Sequence, residues 1–380
     1  MLTCLAISEY RSLRDVVLPL ERLTVVTGPN GSGKSNLYRA LRLLAQVPQA
    51  GVIGALAREG GVQAALWAGP ESRIPAHHPT QGTVRRKPVS LKLGFGGEEY
   101  GYALDLGLPV SGRSLFALDP EIKTEALWLG PRHTPRAMIA ERKGPSVTAK
   151  DRSGQRVQVA TDLAPSDSML THAADPATVP EMFALRTRMA GWRFYDQLRT
   201  DRDAPARLAH VGTRTPALSE DGADLAAALQ TILEIGDAPA LAAAIDDAFP
   251  GAAVQVEEAC GLFSVALTQP GLLRPMAASE LSDGTMRFVL LAAALLSPRP
   301  PEVLVLNEPE TSLHPSLLPA LARLILRASD QSQVIVVSHA DRLVAELLSE
   351  EVCLLHRLEK RNGETVVIDE DRPSWSWPKR

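Results

Sequence analysis

Alternating apolar and polar positions predict a β-hairpin in the first third of the chain. Large apolar residues occupy every second position from Val89 to Phe95 and again from Tyr100 to Leu106. A period of two puts these side chains on one face of a sheet, and the glycine pair at 96–97 suits the turn between the strands. The N-terminal stretch and residues 125–129 also favour strands.

Continuous apolar runs predict buried parallel strands elsewhere. Val303–Leu306 and Val334–Val337 are such runs and lie between helical patterns in the last third of the chain, whereas Leu23–Thr27 is a short apolar and β-branched run that precedes a helical pattern. Strands that are buried on both faces of a parallel sheet have this composition. The alternation of helix and strand predicts an α/β architecture. Helical patterns in the last third cover residues 284–296, 315–327 and 340–348.

The middle of the chain gives weaker signals. Residues 131–180 are polar and rich in Pro, Gly, Ser and Thr, which predicts a loop or a partly mobile insertion. A helix is predicted around residues 225–235, with Ser219 or Asp221 as its N-cap and Gly236 at its C-terminal cap. Two short strands follow at 252–257 and 262–268. We find no internal repeat and no heptad stretch long enough for a coiled coil.

Composition is that of a folded protein and excludes little else. Of the 380 residues 45% are hydrophobic and 22% are charged, and 40 Lys and Arg against 44 Asp and Glu give a formal charge of -4. This balance provides no global electrostatic attraction for nucleic acid, although it leaves room for a local basic face.

Cysteine usage and the apolar runs indicate a cytoplasmic protein. Cys4, Cys260 and Cys353 are far apart and have no metal-ligand spacing, so we expect buried, reduced thiols. Charged residues interrupt the N-terminal stretch before a signal-peptide core can form. The longest apolar run, Phe288–Leu296, is much shorter than the roughly 20 residues that span a bilayer. We therefore expect no membrane association.

The segment Gly28–Ser35 carries the strongest chemical signal. It matches G-x-x-x-x-G-K-[ST], with an apolar strand before it and a helical pattern after it. The glycines allow backbone N–H groups to turn inward around phosphates, and the helix N-terminus adds its positive end. Lys34 can then reach the β- and γ-phosphates, and Ser35 can offer its hydroxyl to Mg²⁺. These residues predict binding of ATP with Mg²⁺.

Three further motifs follow in the last third. Ser282 opens an apolar helix in the sequence LSDGT, where it is either a simple N-cap or part of an anion site. The strand at 303–306 delivers Asn307 and Glu308 to its carboxyl end, where ligands bind in α/β sheets and a carboxylate can polarise water. His339 follows the next strand; a lone histidine there is more often structural.

The order of these motifs resembles that of the ABC-type ATPases, specifically the RecF/SMC-like group of AAA-domain ATPases. The motifs are the phosphate loop, LSDGT, LNEPETSLHP and VIVVSH. The resemblance covers the whole chain and implies an α/β P-loop NTPase head with an antiparallel β flap and a helical lobe. It divides the chain into residues 1–130 with the Walker A loop, a loop-rich and helical insertion at 131–270, and residues 271–380 with the signature, Walker B strand and switch histidine.

The resemblance also implies roles for single residues. Ser282 and Gly284 form the signature that contacts the γ-phosphate of ATP held by a second copy of the chain. Glu308 is the general base, His339 senses the γ-phosphate, and residues 310–314 form the D-loop at the dimer interface. Lys34 joins them as a catalytic residue. The residues implied to bind ATP in the phosphate loop are Gly28, Asn30, Gly31, Ser32, Gly33, Lys34, Ser35 and Asn36.

One position departs from the family pattern, and three others are assigned weakly. Asn307 stands where the family usually has Asp, which helps to hold Mg²⁺ together with Ser35. Asn keeps a carbonyl oxygen but lacks the charge, so we expect weaker Mg²⁺ binding and slower turnover. Tyr10 and Arg11 lie either near the nucleotide base or ribose or simply on a surface strand. Gln63 is a weak candidate for the Q-loop.

Three functions remain open from the sequence. The first is an ATP-gated homodimer that acts on double-stranded DNA in repair, recombination or defence. The second is a regulatory ATPase for a separate protein effector such as a nuclease, since the tail from Glu364 has no room for a nuclease domain. The third, a transporter subunit, is disfavoured by the long insertion before the signature. Basic residues that are candidates for DNA contact are Arg132, Arg136, Arg142, Lys143, Arg186, Arg188, Arg193, Arg199, Arg202 and Arg207.

Overall fold

The chain forms two compact units, each made of segments distant in sequence. The computed structural model describes residues 1–70, 87–109, 114–349, 353–368 and 372–380. The first unit comprises Met1–Glu21, Gly28–Trp192 and His356–Arg380, and the second comprises Arg22–Thr27 and Arg193–Leu355. These units differ from the three segments predicted from the sequence, 1–130, 131–270 and 271–380. That division of the chain stays a prediction.

Consecutive strands dominate the first half of the described chain, and helices alternate with strands in the last third. The strands are β1 Leu2–Tyr10, β2 Leu13–Pro19, β3 Leu23–Thr27, β4 Leu91–Gly97, β5 Tyr100–Gly107, β6 Glu121–Leu129, β7 Met138–Lys143, β8 Ser146–Lys150, β9 Arg156–Ala160, β10 Arg193–Tyr195, β11 His210–Val211, β12 Ala253–Ala259, β13 Leu262–Thr268, β14 Met276–Ala277, β15 Val303–Asn307, β16 Gln333–Val337, β17 Cys353–Arg361 and β18 Glu364–Ile368. The α-helices are α1 Lys34–Arg58, α2 Val62–Ala65, α3 Met169–His172, α4 Pro180–Gly191, α5 Leu225–Ile235, α6 Ala238–Ala248, α7 Asp283–Leu295, α8 Leu318–Ser329 and α9 Asp341–Leu347.

An eight-stranded antiparallel sheet organises the first unit, in the order β2-β1-β4-β5-β6-β7-β8-β9. The predicted hairpin is confirmed as β4 and β5, with Phe95 opposite Tyr102. The turn prediction at 96–97 is wrong, because both glycines lie within β4 and pair with β1. A Cβ on Gly96 would lie 2.4 Å from the carbonyl oxygen of Pro131, so a close backbone approach requires glycine there.

The prediction of a loop or mobile insertion at 131–180 is wrong for much of that range. It contains β7, β8, β9 and α3, and α4 begins at its end. The strands are only five or six residues long, and tight turns join them. In one turn the carboxylate of Asp151 accepts from the N–H groups of Ser153 and Gln155. Short strands with turn-rich composition carry little periodicity, and their pairing with β6 stabilises them.

A buried polar cluster attaches α3 to this sheet. The carboxylate of Glu125 accepts hydrogen bonds from Tyr102 Oη, Ser168 Oγ and the N–H of Met169. Arg142 lies 3.9 Å from this carboxylate and is fully buried, and it donates to the carbonyl oxygens of Gly144 and Ala164. Burial raises the pKa of Glu125. Arg142 is therefore an internal structural group, and its assignment as a candidate for DNA contact is wrong.

A parallel sheet in the order β10-β15-β16-β3 organises the second unit. Its apolar strands are confirmed as buried, and α7 and α8 contribute to the core around them. α5 ends at Gly236 as predicted. The N-cap prediction for this helix is wrong: Asp224 occupies the N-cap, and the hydroxyl of Ser219 donates to its carboxylate.

The cysteines differ in their surroundings. Cys4 is buried and Cys353 is partly buried, and burial raises the pKa of Cys353 to about 11. Cys260 is exposed, because it occupies the turn between β12 and β13 with a φ of 55°. The prediction that all three thiols are buried is therefore wrong for Cys260.

Within the described ranges, one helix is long and apolar enough to cross a membrane, judged by length and composition. This helix is α1, and 56% of its most apolar window is buried inside the protein. Burial of this kind is typical of a core helix in a water-soluble domain.

Candidate functional site

The phosphate loop connects β3 to α1 through three glycines with positive φ. Gly28, Gly31 and Gly33 have φ values of 151°, 80° and 108°. The loop starts directly after β3, and α1 begins at Lys34 with Gly33 in the N-cap position. Such a left-handed series turns successive N–H groups toward one concave side, which is the geometry that binds phosphate. The loop prediction thus agrees with the local backbone, and ligand binding by these residues stays a prediction.

Lys34 lies across the inside of this loop. Its ammonium group donates to the carbonyl oxygen of Gly28 at 2.5 Å and to that of Pro29 at 3.3 Å, and the residue is only 5% exposed. The stem is therefore held in place while the charged end stays beside the loop backbone. An anion in the loop could take the place of these carbonyl contacts.

A second cluster lies at the carboxyl edge of the parallel sheet. Asn307 ends β15 opposite Val337, the last residue of β16. Glu308 follows with a φ of 49°, and its N–H donates to the carbonyl oxygen of Val337 at 2.7 Å. A non-glycine residue with positive φ is uncommon and often marks a functional position. This conformation leaves the side chain of Glu308 39% exposed at the end of a buried strand.

Glu310 fixes the turn that carries His339. Its buried Oε1 accepts from the hydroxyl of Ser338 at 2.8 Å and from the N–H groups of His339 at 2.9 Å and Ala340 at 3.2 Å. The ring Nδ1 of His339 lies 3.2 Å from this same oxygen and 3.8 Å from Oε1 of Glu308. The structure thus brings Glu308 and His339 together. The sequence placed Glu310 only in the D-loop, because a contact across 29 residues leaves no local signal.

The signature segment begins α7. The hydroxyl of Ser282 accepts from the N–H of Thr285 at 3.1 Å, so Ser282 is an N-cap whose side chain remains exposed. A Cβ on Gly284 would lie 2.9 Å from the carbonyl oxygen of Ser312, which explains the need for a small residue beside the D-loop. Exposed Ser282 and the first-turn N–H groups of α7 together form a surface suited to an anion.

Arg207 holds the backbone before this helix. It donates to the carbonyl oxygens of Ala278 and Leu281, both at 2.7 Å, and to the carboxylate of Asp283 at 2.8 Å. Its side chain is 6% exposed. Its assignment as a candidate for DNA contact is therefore wrong, because its donors are committed to the signature segment.

The other basic candidates differ in their pairing. Arg188 pairs with Glu99, Arg199 with Asp201 and Lys143 with Glu141. Arg186 donates to the carbonyl oxygen of Thr171. Residues exposed on the surface include Arg132, Arg136 and Arg202. Contact with DNA by these exposed groups, and by Arg193, stays a prediction.

Tyr10 and Arg11 form a local cluster with the end of α1. Tyr10 is fully buried, its hydroxyl donates to Glu59 at 3.2 Å, and burial raises its pKa. Arg11 pairs with the same carboxylate at 2.6 Å. Tyr10 is therefore a core residue rather than a residue of a surface strand. Gln63 is exposed on α2, and its assignment to the Q-loop stays a prediction.

The fold and the ordered motifs define an ABC-type P-loop ATPase head with a mixed α/β structure. The family profile described as "AAA domain, putative AbiEii toxin, Type IV TA system" matches residues 23–85 and 93–345. The chain belongs to this family.

Solved structures show the same fold over almost the whole chain. The SMC head bound to the C-terminal winged-helix domain of ScpA superposes with a TM-score of 0.52 and 15% identity, covering 97% of each chain. The SMC head with an extended coiled coil from Pyrococcus furiosus gives a TM-score of 0.51 and 13% identity, covering 97% of this chain and 95% of that one. At these identities the likeness concerns the fold alone.

A short segment also resembles a curated nuclease. The OLD nuclease of Thermus scotoductus is 46% identical over 44 residues. That segment is 12% of this chain and 8% of the nuclease.

Proposed function

We propose that this protein is a cytoplasmic ATPase that hydrolyses ATP as an ATP-gated homodimer. The observation that carries the proposal is Glu308, a partly exposed carboxylate with positive φ at the end of a buried strand, 3.8 Å from His339. A strained carboxylate at the carboxyl edge of an α/β sheet suits a general base better than a structural role. The phosphate loop supplies the matching anion-binding element.

In this mechanism each ATP binds the phosphate loop of one protomer and the signature of the other. Lys34 leaves its carbonyl partners to contact the β- and γ-phosphates, while the partner's Ser282 and first-turn N–H groups contact the γ-phosphate. Glu308 accepts a proton from water, whose oxygen attacks the γ-phosphorus as the bond to the ADP oxygen breaks. Loss of the γ-phosphate removes the contacts that close the dimer, which shifts the population toward the open state.

The chain offers oxygen ligands for Mg²⁺. Oδ1 of Asn307 is buried and has no hydrogen-bond partner among the described residues, and Ser35 is exposed at the start of α1. A buried carbonyl oxygen without a donor suits a hydrated cation. Mg²⁺ bound there with ATP would neutralise phosphate charge. Asn307 and Ser35 are the residues that we propose to hold it.

We expect Asn307→Asp to raise the ATPase rate at limiting Mg²⁺. The added charge should strengthen Mg²⁺ binding, so the Mg²⁺ concentration at half-maximal rate should fall, by about tenfold if the gain is about 1.4 kcal/mol. The measurement is the steady-state ATPase rate across a Mg²⁺ titration at fixed ATP. An unchanged titration midpoint would mean that this side chain does not interact with the metal.

A DNA-directed role is the first branch of the proposal. The RecF/SMC-like head fold and the exposed arginines at 132, 136 and 202 support it. The family description names a toxin of a type IV TA system, which favours defence over repair. The alternative is a regulatory ATPase for a separate effector such as a nuclease. The segment similar to OLD nuclease favours that alternative.

The test is the steady-state ATPase rate per chain as a function of protein concentration, with and without duplex DNA. A composite site formed by two protomers requires the rate per chain to rise with concentration until the dimer saturates. Stimulation by DNA would support the DNA-directed branch. A concentration-dependent rate that DNA leaves unchanged would favour the protein effector. A rate per chain independent of concentration, with a monomer in ATP, would exclude the gated dimer.

A further inference from the structure

The hairpin of β17 and β18 contacts both ends of the phosphate loop. A Cβ on Gly28 would lie 2.3 Å from the carbonyl oxygen of Leu358 in β17. A Cβ on Gly33 would lie 2.0 Å from the hydroxyl oxygen of Thr365 in β18, whereas Gly31, midway between them, has open space around it. Glycine is thus required at positions 28 and 33 for two reasons: the positive φ angles, and the close approach of this hairpin, which leaves no space for a Cβ.

Thr365 is the residue through which β18 holds the loop. The residue is 4% exposed, and its hydroxyl donates to the carbonyl oxygen of Ser32 at 2.7 Å. Its oxygen also lies 2.7 Å from the hydroxyl oxygen of Ser12, which in turn lies 2.8 Å from the side-chain nitrogen of Asn36. The N–H of Thr365 donates to the carbonyl oxygen of Ser12, which joins β18 to the turn between β1 and β2.

The donors and acceptors of these groups fix the direction of the chain of hydrogen bonds. A carbonyl oxygen can only accept, so the single hydroxyl proton of Thr365 goes to Ser32. Ser12 must then donate its proton to Thr365, and its own oxygen accepts from the amide of Asn36. The relay therefore runs from Asn36 through Ser12 and Thr365 to Ser32. It joins Asn36, in the first turn of α1, to Ser32 in the loop. Lys34 and Ser35 lie between these two residues in the sequence.

This relay orients one particular peptide of the loop. The bond between Ser32 and Gly33 is a planar trans peptide, in which the C=O and N–H groups point in opposite directions. Because Thr365 binds the Ser32 carbonyl, the N–H of Gly33 must point away from β18. A phosphate oxygen in the loop needs an N–H donor already turned toward it, since turning one on binding costs affinity.

We propose that Thr365 is a positioning residue for ATP binding, whose hydroxyl presets the N–H of Gly33 for phosphate. This inference rests on the proposed function, because it assigns a role within the same nucleotide site. Ser12 and Asn36 act through Thr365 and have smaller effects. The hydroxyl affects the bound ground state and the transition state alike, so KM for ATP changes and kcat changes little.

The test compares Thr365→Val, which keeps the shape and removes the hydroxyl, with Thr365→Ser, which keeps the hydroxyl. The matched control is Thr124→Val, because the Thr124 hydroxyl is buried in the same unit and has no hydrogen-bond partner among the described residues. Binding of mant-ATP with Mg²⁺, KM and kcat for ATP, and the unfolding temperature without nucleotide are measured. We expect Thr365→Val to raise Kd and KM about tenfold with kcat within about threefold. Thr365→Ser and Thr124→Val should bind like wild type.

The outcomes separate this inference from the proposed function. If wild type and Lys34→Ala show the same lack of mant-ATP binding, both the function and the inference are overturned. If wild type binds and Thr365→Val binds equally well, even with a lower unfolding temperature, Thr365 is only structural and the inference alone fails. If Thr365→Val does not fold, Ser12→Ala provides the answer: about threefold weaker binding supports the relay, and unchanged binding contradicts it.

Discussion

Glu308→Gln is expected to bind ATP with almost unchanged affinity and to hydrolyse it about 10²- to 10⁴-fold more slowly. The amide has the shape of the carboxylate and tolerates the same backbone φ of 49°, but it cannot accept the proton of the attacking water. ATP should therefore persist at the site, and the ATP-bound dimer should accumulate. The measurements are single-turnover hydrolysis, mant-ATP binding, and molar mass in ATP and Mg²⁺ by light scattering after gel filtration.

Two control variants test whether this result is specific to Glu308. Lys34→Ala removes the ammonium from the phosphate loop and should lose ATP binding, so it should remain monomeric in ATP. Glu257→Gln changes an exposed glutamate of β12 in the second unit and should behave like wild type. A Glu308→Gln rate within about threefold of wild type would assign the proton transfer elsewhere. Equal dimerisation of the Glu308 and Lys34 variants would contradict gating by ATP.

If Glu308→Gln hydrolysed ATP at nearly the wild-type rate, Glu310 would be the next candidate for the general base. The hydrogen bonds of Glu310 argue against that role. Its Oε1 already accepts from the Ser338 hydroxyl and from two N–H groups of the turn. These donors occupy Oε1, and Glu310 is only 8% exposed, so its contacts hold the turn rather than present an oxygen to an attacking water. Among the described residues, the side chain of Glu308 has no such set of hydrogen bonds. The two glutamates, separated by a single proline, thus differ in their hydrogen bonds, which supports the proposal that Glu308 is the general base.

The parts of the fold that the sequence predicts are those with local signals. β15 and β16 contain continuous apolar runs and β3 is a short apolar, β-branched run, and each leads directly into a motif with its own residue pattern. β7, β8 and β9 were missed because their stability comes from pairing within an eight-stranded sheet. Pairing of that kind depends on distant residues, so it leaves no pattern in a short window.

The same limit applies to the candidate site. The phosphate loop could be found because its chemistry requires fixed spacing, whereas Ser12 and Thr365 meet across 353 residues. Arg142 and Arg207 illustrate the opposite error. A charged residue is usually on the surface, but Arg142 is fully buried and the side chain of Arg207 is 6% exposed, and both donate to carbonyl oxygens. Composition cannot distinguish such an arginine from one that is free to contact DNA.

A mixture of two inactive variants is expected to recover ATPase activity if the site is shared between protomers. Lys34→Ala lacks a working phosphate loop, and Ser282→Arg blocks the exposed start of α7, where ATP of the other protomer would bind. Lys34→Ala alone should remain monomeric in ATP, and a Ser282→Arg dimer would have two defective sites. In a two-fold dimer the phosphate loop of each protomer meets the signature of the other, so the dimer has two such sites. In a heterodimer of the two variants, one of these sites combines an intact phosphate loop with an intact signature.

The expected size of the recovery follows from the number of intact sites. Each mixed dimer has one intact site of two, so the rate should reach at most about half of wild type when all chains are in mixed dimers, given independent sites. The control is Ser349→Arg, which adds the same charge at an exposed serine beyond α9; it should be active alone.

Recovery would show that Ser282 acts on ATP of the partner. No recovery, with mixed dimers demonstrated by differently tagged chains, would mean either that one intact site is insufficient or that Ser282 serves its own protomer. A tandem-fused dimer carrying a single Ser282→Arg change separates these two outcomes, because only the first abolishes its activity.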